Sequence, residues 1–124
     1  MRTALGSCLF SLFLAFVFSC GGLEIPEPLK SELPEYPGAN LRAVSTDSRG
    51  GAGVSFDTED TPDAVFEFYG AAAGQRSWKL ISEYRPDANT LRRRYRKGPY
   101  VLTVHAGKSV EGEPTSVHVS IRID

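Results

Sequence analysis

The chain's two histidines, His105 and His118, are thirteen residues apart. Two imidazoles can begin a zinc or copper site, but a stable site needs a third or fourth ligand. Glu83 or Glu111 would supply one only through an accident of topology, so no metal is expected and both rings are read as solvent-facing. A second chemical group is the basic run Arg92, Arg93, Arg94, Arg96 and Lys97. On a strand, Arg92, Arg94 and Arg96 share one face. That face would bind anions: phospholipid headgroups, lipopolysaccharide or an acidic partner. The plainer account is a solvated outer face, balanced by Glu59, Asp60 and Asp63, that also discourages edge pairing. Those acids with Glu67 can be imagined in acid–base work, but a helix start explains them more simply. There is no G-x-S-x-G elbow and no S-x-x-K motif. Gly50-Gly51-Ala52-Gly53 lacks the Lys-Ser/Thr and the helix of a phosphate loop. No catalytic residue and no cofactor is expected.

The remaining reactive residue is Cys20. Arg2 and the amino terminus precede Leu9–Phe18, a ten-residue stretch that is apolar but for Ser11. That length fits the core of a signal peptide and falls short of the roughly 20 residues a spanning helix needs. Val17-Phe18-Ser19-Cys20 then resembles a bacterial lipobox, with small Ser19 before the cut and a thiol to take diacylglycerol after it. Cys8 leaves with residues 1–19, so Cys20 becomes the sole cysteine and no intrachain disulfide can form. Lipidation also removes the liability of a lone thiol in an oxidising compartment. Arg2 leaves too, which sets 13 Lys and Arg against 15 Asp and Glu. A balance so near neutrality gives no general affinity for nucleic acid.

These residues must be carried by a domain of modest size. Residues 20–37 hold Cys20 and then Pro26, Pro28, Pro34 and Pro37 among four glutamates. They read as a solvated, semi-extended tether able to hold the body several nanometres from a membrane. Residues 38–124 read as one globular domain. Leu41–Thr46 and Gly53–Thr58 form a hairpin. Thr61 caps a helix whose Val65, Phe68, Tyr69 and Ala72 make one apolar face, with Gly74 at its end. Four strands follow: Trp78–Arg85 with Trp78, Leu80 and Tyr84 in alternation, then Thr90–Lys97, Tyr100–Ala106 and Val117–Ile123. The fold class is therefore α+β, a twisted antiparallel sheet in the order β-β-α-β-β-β-β with one helix on its apolar face. A groove between helix and sheet could take a peptide or an acyl chain.

Pro34-Glu35-Tyr36-Pro37-Gly38-Ala39, Phe56-Asp57-Thr58-Glu59-Asp60-Thr61-Pro62, Val65-Phe66-Glu67-Phe68-Tyr69 and the strand-opening Trp78 resemble a loose group of small bacterial envelope lipoproteins of unknown function. Such domains carry Gly-Trp after a longer helix, where this chain has Ser77-Trp78. The resemblance implies no activity. The expectation is a lipid-anchored, non-catalytic interaction module of the cell envelope with an envelope protein as partner and no nucleic acid. Gly21 after the cysteine favours an outer membrane facing the periplasm in a diderm host. The alternative is a binder of anionic lipid or another envelope ligand through the Arg92–Lys97 strand.

Overall fold

A computed structural model describes residues 23–124. The leader and Cys20 lie outside the described residues. The elements run α1 (Leu29–Glu32), β1 (Asn40–Thr46), β2 (Ala52–Thr58), α2 (Pro62–Gln75), β3 (Lys79–Asp87), β4 (Thr90–Lys97), β5 (Tyr100–Gly107) and β6 (Thr115–Ile123). All six strands join one antiparallel sheet in the order β1-β2-β6-β5-β4-β3, a sheet-rich α+β fold. The β1–β2 turn is closed by Asp47, whose carboxylate accepts the N–H groups of Arg49 at 2.9 Å and Gly51 at 2.8 Å. Gly51 is required there, because a Cβ would sit 2.9 Å from the Ile121 carbonyl oxygen. Among the described residues no helix is long and apolar enough to cross a membrane.

One face of the sheet is the core. Leu91 and Tyr95 of β4, Leu102, Val104 and Ala106 of β5, and Val117, Val119 and Ile121 of β6 are all buried there. The period-2 alternation of these strands puts every second side chain inside. Helix α2 covers β4 and β5. It starts on Thr61, whose hydroxyl accepts the Ala64 N–H at 3.2 Å, and Pro62 fills its first turn. Val65, Phe66, Tyr69, Ala72 and Ala73 are its buried residues. The expected face is thereby rotated: Phe66 points in, while Phe68 is only half-buried. Phe68 instead packs edge-on against Tyr36, with ring centres 4.9 Å apart. Beyond Gln75, Trp78 N–H donates to the Ala73 carbonyl at 2.9 Å and Ser77 N–H to that of Gly74 at 3.4 Å. This closes the helix with Ser77, not Gly74, in the left-handed conformation at φ 68°.

The largest departure from the sequence reading is in residues 25–36. Expected as a solvated tether, they form a strap laid on the β1, β2 and β6 half of the core face. Leu29, Leu33 and Tyr36 are 2, 6 and 5 % exposed, and Ile25 packs beside them. The strap surrounds Leu41, Val54, Phe56 and Val119. It is pinned at Glu32, which accepts from Trp78 Nε1 at 3.2 Å and Lys97 Nζ at 2.9 Å, and at Tyr36, whose hydroxyl donates to Asp60. The physical reason is width. A sheet of six strands spaced about 4.8 Å apart is roughly 24 Å across, and one helix about 10 Å in diameter leaves half of it bare.

Strand β3 also differs. All nine of its residues are exposed at the sheet edge. The register shifts between Leu80 and Ser82, so Leu80 pairs with core-facing Tyr95 while Tyr84 pairs with outward Arg92. One extra residue puts the two side chains on opposite faces.

Two stability predictions follow from these contacts. Leu33→Ala lowers unfolding free energy by about 2–5 kcal/mol in urea titration, as a core truncation does; a spacer would show no change. Ser77→Gly raises stability by about 1 kcal/mol by relieving a left-handed non-glycine residue; an unchanged urea midpoint contradicts that account of the helix end.

Candidate functional site

Among the described residues no helix lies over the second sheet face, and its pairing register defines a lattice of side chains. One row runs Tyr84, Arg92, His105, His118 and Ser55 across β3, β4, β5, β6 and β2. The next runs Ser82, Arg94, Thr103, Ser120 and Gly53, and a third holds Arg96, Val101 and Arg122. Neighbours within a row are about 4.8 Å apart and rows about 7 Å apart. Arg92, Arg94 and Arg96 thus share this outward face, on one strand. Arg93 and Lys97 of the same basic run turn the other way. Arg93 lies over the Phe66 ring at 5.4 Å and bonds Glu83 at 2.9 Å, and Lys97 lies over Trp78 at 5.6 Å.

The outward arginines are held differently from one another. Arg96 pairs with Asp124 at 2.6 Å and Arg122 with Asp47 at 3.2 Å. The Asp124 carboxyl is held below its ordinary range by the Arg96 hydrogen bond and charge, and that of Asp47 by the Gly51 and Arg49 N–H groups. Val101, 7 % exposed, lies between Arg96 and Arg122 in the register on this face. Arg92 and Arg94 are exposed, and among the described residues neither is in an ion pair, though the charge of Arg94 also reaches Asp124. The guanidinium of Arg92 sits over the Tyr84 ring at 5.4 Å. Glu59, Asp60 and Asp63, the acids expected to balance the run, are at the start of α2. Asp60 there receives the Tyr36 hydroxyl, raising that phenol to about 12 through burial and then Asp60 itself, and Asp63 pairs with Arg85 at 3.0 Å.

His105 and His118 do stand directly opposite each other. The His118 ring, however, is turned onto β2. Its Nδ1 and the Ser55 hydroxyl are 2.9 Å apart, and its Cε1 and Nε2 lie over Gly53, where a Cβ would be 3.4 and 3.6 Å away. No cluster of three or more metal-ligating side chains occurs among the described residues. Burial first, then Arg122 and His105, lower the His118 pKa. Serine activation needs a base that becomes cationic beside an orienting carboxylate. The fixed charge beside this imidazole is instead the Arg122 guanidinium, which opposes that step. Two shallow hollows open on the face. One of about 280 Å³ is lined by Ser55, Thr90, His105, Ser116 and His118, and one of about 190 Å³ by Arg94, Thr103, Arg122 and Asp124. The groove expected between helix and sheet is filled by the strap. The void of about 20 Å³ left beneath it among Leu29, Leu33, Phe56 and Tyr69 has room for about one water, and open hollows of about 330 Å³ beside Leu23, Ile25 and Leu41 and about 250 Å³ beside Trp78, Tyr100 and Ile121 flank the strap.

The depressed His118 sets a pH dependence. The unfolded ring takes its proton near the ordinary value of about 6.5, and the folded ring resists it. The stability is therefore complete above that pH and declines as pH falls through the folded value. His118→Asn, which keeps a partner for Ser55, flattens the loss seen by urea titration between pH 7.5 and 5.5; an identical slope in both proteins contradicts it.

Comparison with protein-family models, curated proteins and solved structures finds no match to this chain.

Proposed function

We propose that the chain is an envelope lipoprotein: a leader of residues 1–19 is removed, Cys20 carries diacylglycerol and a palmitate-type acyl group, and the body serves as a non-catalytic interaction module on the membrane. In a diderm host the outer membrane, facing the periplasm, is the favoured place. The β-β-α-β-β-β-β unit, closed on one side by helix and strap, is read as the scaffold that presents the other side. The observation that carries the binding reading is the sheet face left uncovered among the described residues, mostly polar, with Arg92 and Arg94 in no ion pair there. A folded domain leaves such a face bare at no cost when it is polar, and gains a ready platform for a partner.

The same observation favours an anionic ligand over a neutral one. Arginine forks match carboxylate and phosphate oxygens. Arg96 and Arg122 add donors once Asp124 or Asp47 is displaced, since exposed ion pairs of this kind hold by about 1 kcal/mol or less.

Two measurements test the reading. The anchor is read by intact mass of the native product, which should carry diacylglycerol and acyl mass at a terminal Cys20, and by release of Cys20→Ser into the soluble fraction. An unmodified terminus overturns the lipoprotein reading. The working face is read by a photo-crosslinking residue placed at Thr103 or, separately, at Glu67 on α2, in intact cells. Adducts should form from position 103 and be several-fold fewer from 67; equal yields overturn it.

A further inference from the structure

We infer that the anionic partner of the open sheet face is the headgroup layer of the very bilayer that holds the anchor, against which the domain lies flat. The inference rests on the lipoprotein reading for proximity and on the structure for orientation.

Proximity follows from the strap. Ile25 already packs against the core and Leu29 is buried. From Cys20 to Ile25 the chain has five Cα–Cα steps, which span at most about 18 Å when fully extended. A spacer of several nanometres is therefore absent, and the body is held within a fraction of its own width of the lipid. It must present some face to the headgroups.

Charge selects which. On the helix-and-strap side Glu24, Glu27, Glu35, Glu59, Asp60 and Glu67 are exposed with no ion-pair partner among the described residues, against Lys30 and the half-buried Arg76, the remaining charges being paired as Asp63–Arg85, Glu83–Arg93 and Glu32–Lys97. Anionic lipid repels that side. On the open face the acids Asp47, Asp57 and Asp124 are each taken by Arg122, Arg42 and Arg96. Arg92 and Arg94 remain as surplus charge beside His105 and His118. An anionic surface attracts each such cation by about 1 kcal/mol, within a Debye length.

A third observation favours a bilayer over a free phosphate. Tyr84 is 57 % exposed on this face, under the Arg92 guanidinium. Ile81, at the bulge of the same edge strand, is 42 % exposed. An aromatic with a polar tip beside arginine suits the boundary between headgroup and acyl chain, and a soluble anion has no use for it. The face also carries open hollows instead of a closed pocket, as a surface ligand requires.

The test uses the leaderless full chain with Cys20→Ser, so that binding reads the face and not the lipid. Flotation with vesicles of phosphatidylcholine alone is compared with vesicles containing a third phosphatidylglycerol. The inference predicts binding to the second only, lost as sodium chloride is raised from 0.05 to 0.5 M, and weakened about 30-fold in Arg92→Gln/Arg94→Gln. Both residues are exposed, and an unchanged circular dichroism melt shows the double variant folded. Glycerol phosphate at millimolar concentration should compete poorly. A dye on Thr103→Cys should shift to the blue on the anionic vesicles and a dye on Glu67→Cys should not. Equal binding to both vesicle types, no effect of the double variant, full competition by glycerol phosphate, or a shift of the Glu67→Cys dye each overturns the inference. The lipoprotein reading fails separately, on an unmodified Cys20 in the native protein.

Discussion

A six-stranded sheet has too much apolar surface for α2 alone to cover. Helix α2 reaches β4 and β5, and the core face of β1, β2 and β6 still needs a lid. Leu29, Leu33 and Tyr36 provide it, and the rest of the structure depends on their doing so. Without them Val54, Phe56 and Val119 would face water, at about 25 cal/mol for each Å² of apolar surface. The aromatic cluster of Tyr36, Phe56, Phe68 and Tyr69, with ring centres 4.9 to 6.0 Å apart, joins strap, sheet and helix into one core. Tyr69 is deep enough there that burial raises its phenol well above the ordinary range.

The strap also decides what the molecule can offer. Because it and α2 close one face, the other is left uncovered among the described residues, and most of its side chains are suited to water. Serine, threonine and histidine alternate with the core residues along β5 and β6, and arginines along β4. Charges on that face are in part tied to its own acids and in part left over. The same packing that completes the core takes residues 25–36 out of any spacer between the proposed anchor and the body.

Much of this was legible in the residues. Leu102, Val104 and Ala106, and Val117, Val119 and Ile121 alternate without interruption, Leu91 and Tyr95 do so with Arg93 between them, and the structure buries all eight apolar residues. The outward setting of Arg92, Arg94 and Arg96 follows from the same period. The bulge in β3 left no local mark: Leu80 and Tyr84 keep even spacing, yet an added residue parts them. The strap did leave one. Ile25, Leu29, Leu33 and Tyr36 stand four, four and three apart, as on one side of a helix, but four prolines among glutamates outweighed that spacing. The turn of the His118 ring onto Ser55 depends on β2 lying beside β6, a long-range pairing that no local pattern announces. Ser77 in place of glycine was visible as a departure, and its conformation explains why glycine would suit that position.

The central claim is that the segment behind the proposed anchor is fold and not spacer, and amide hydrogen exchange reads it directly. Leu33 N–H donates to the Leu29 carbonyl at 3.0 Å and Lys30 N–H to that of Pro26 at 3.1 Å. In the native protein these amides should be protected to a degree approaching the central strands, and lose protection only with them. Exchange of Lys30 and Leu33 at the rate of an unfolded chain, while β5 and β6 stay protected, would contradict the account.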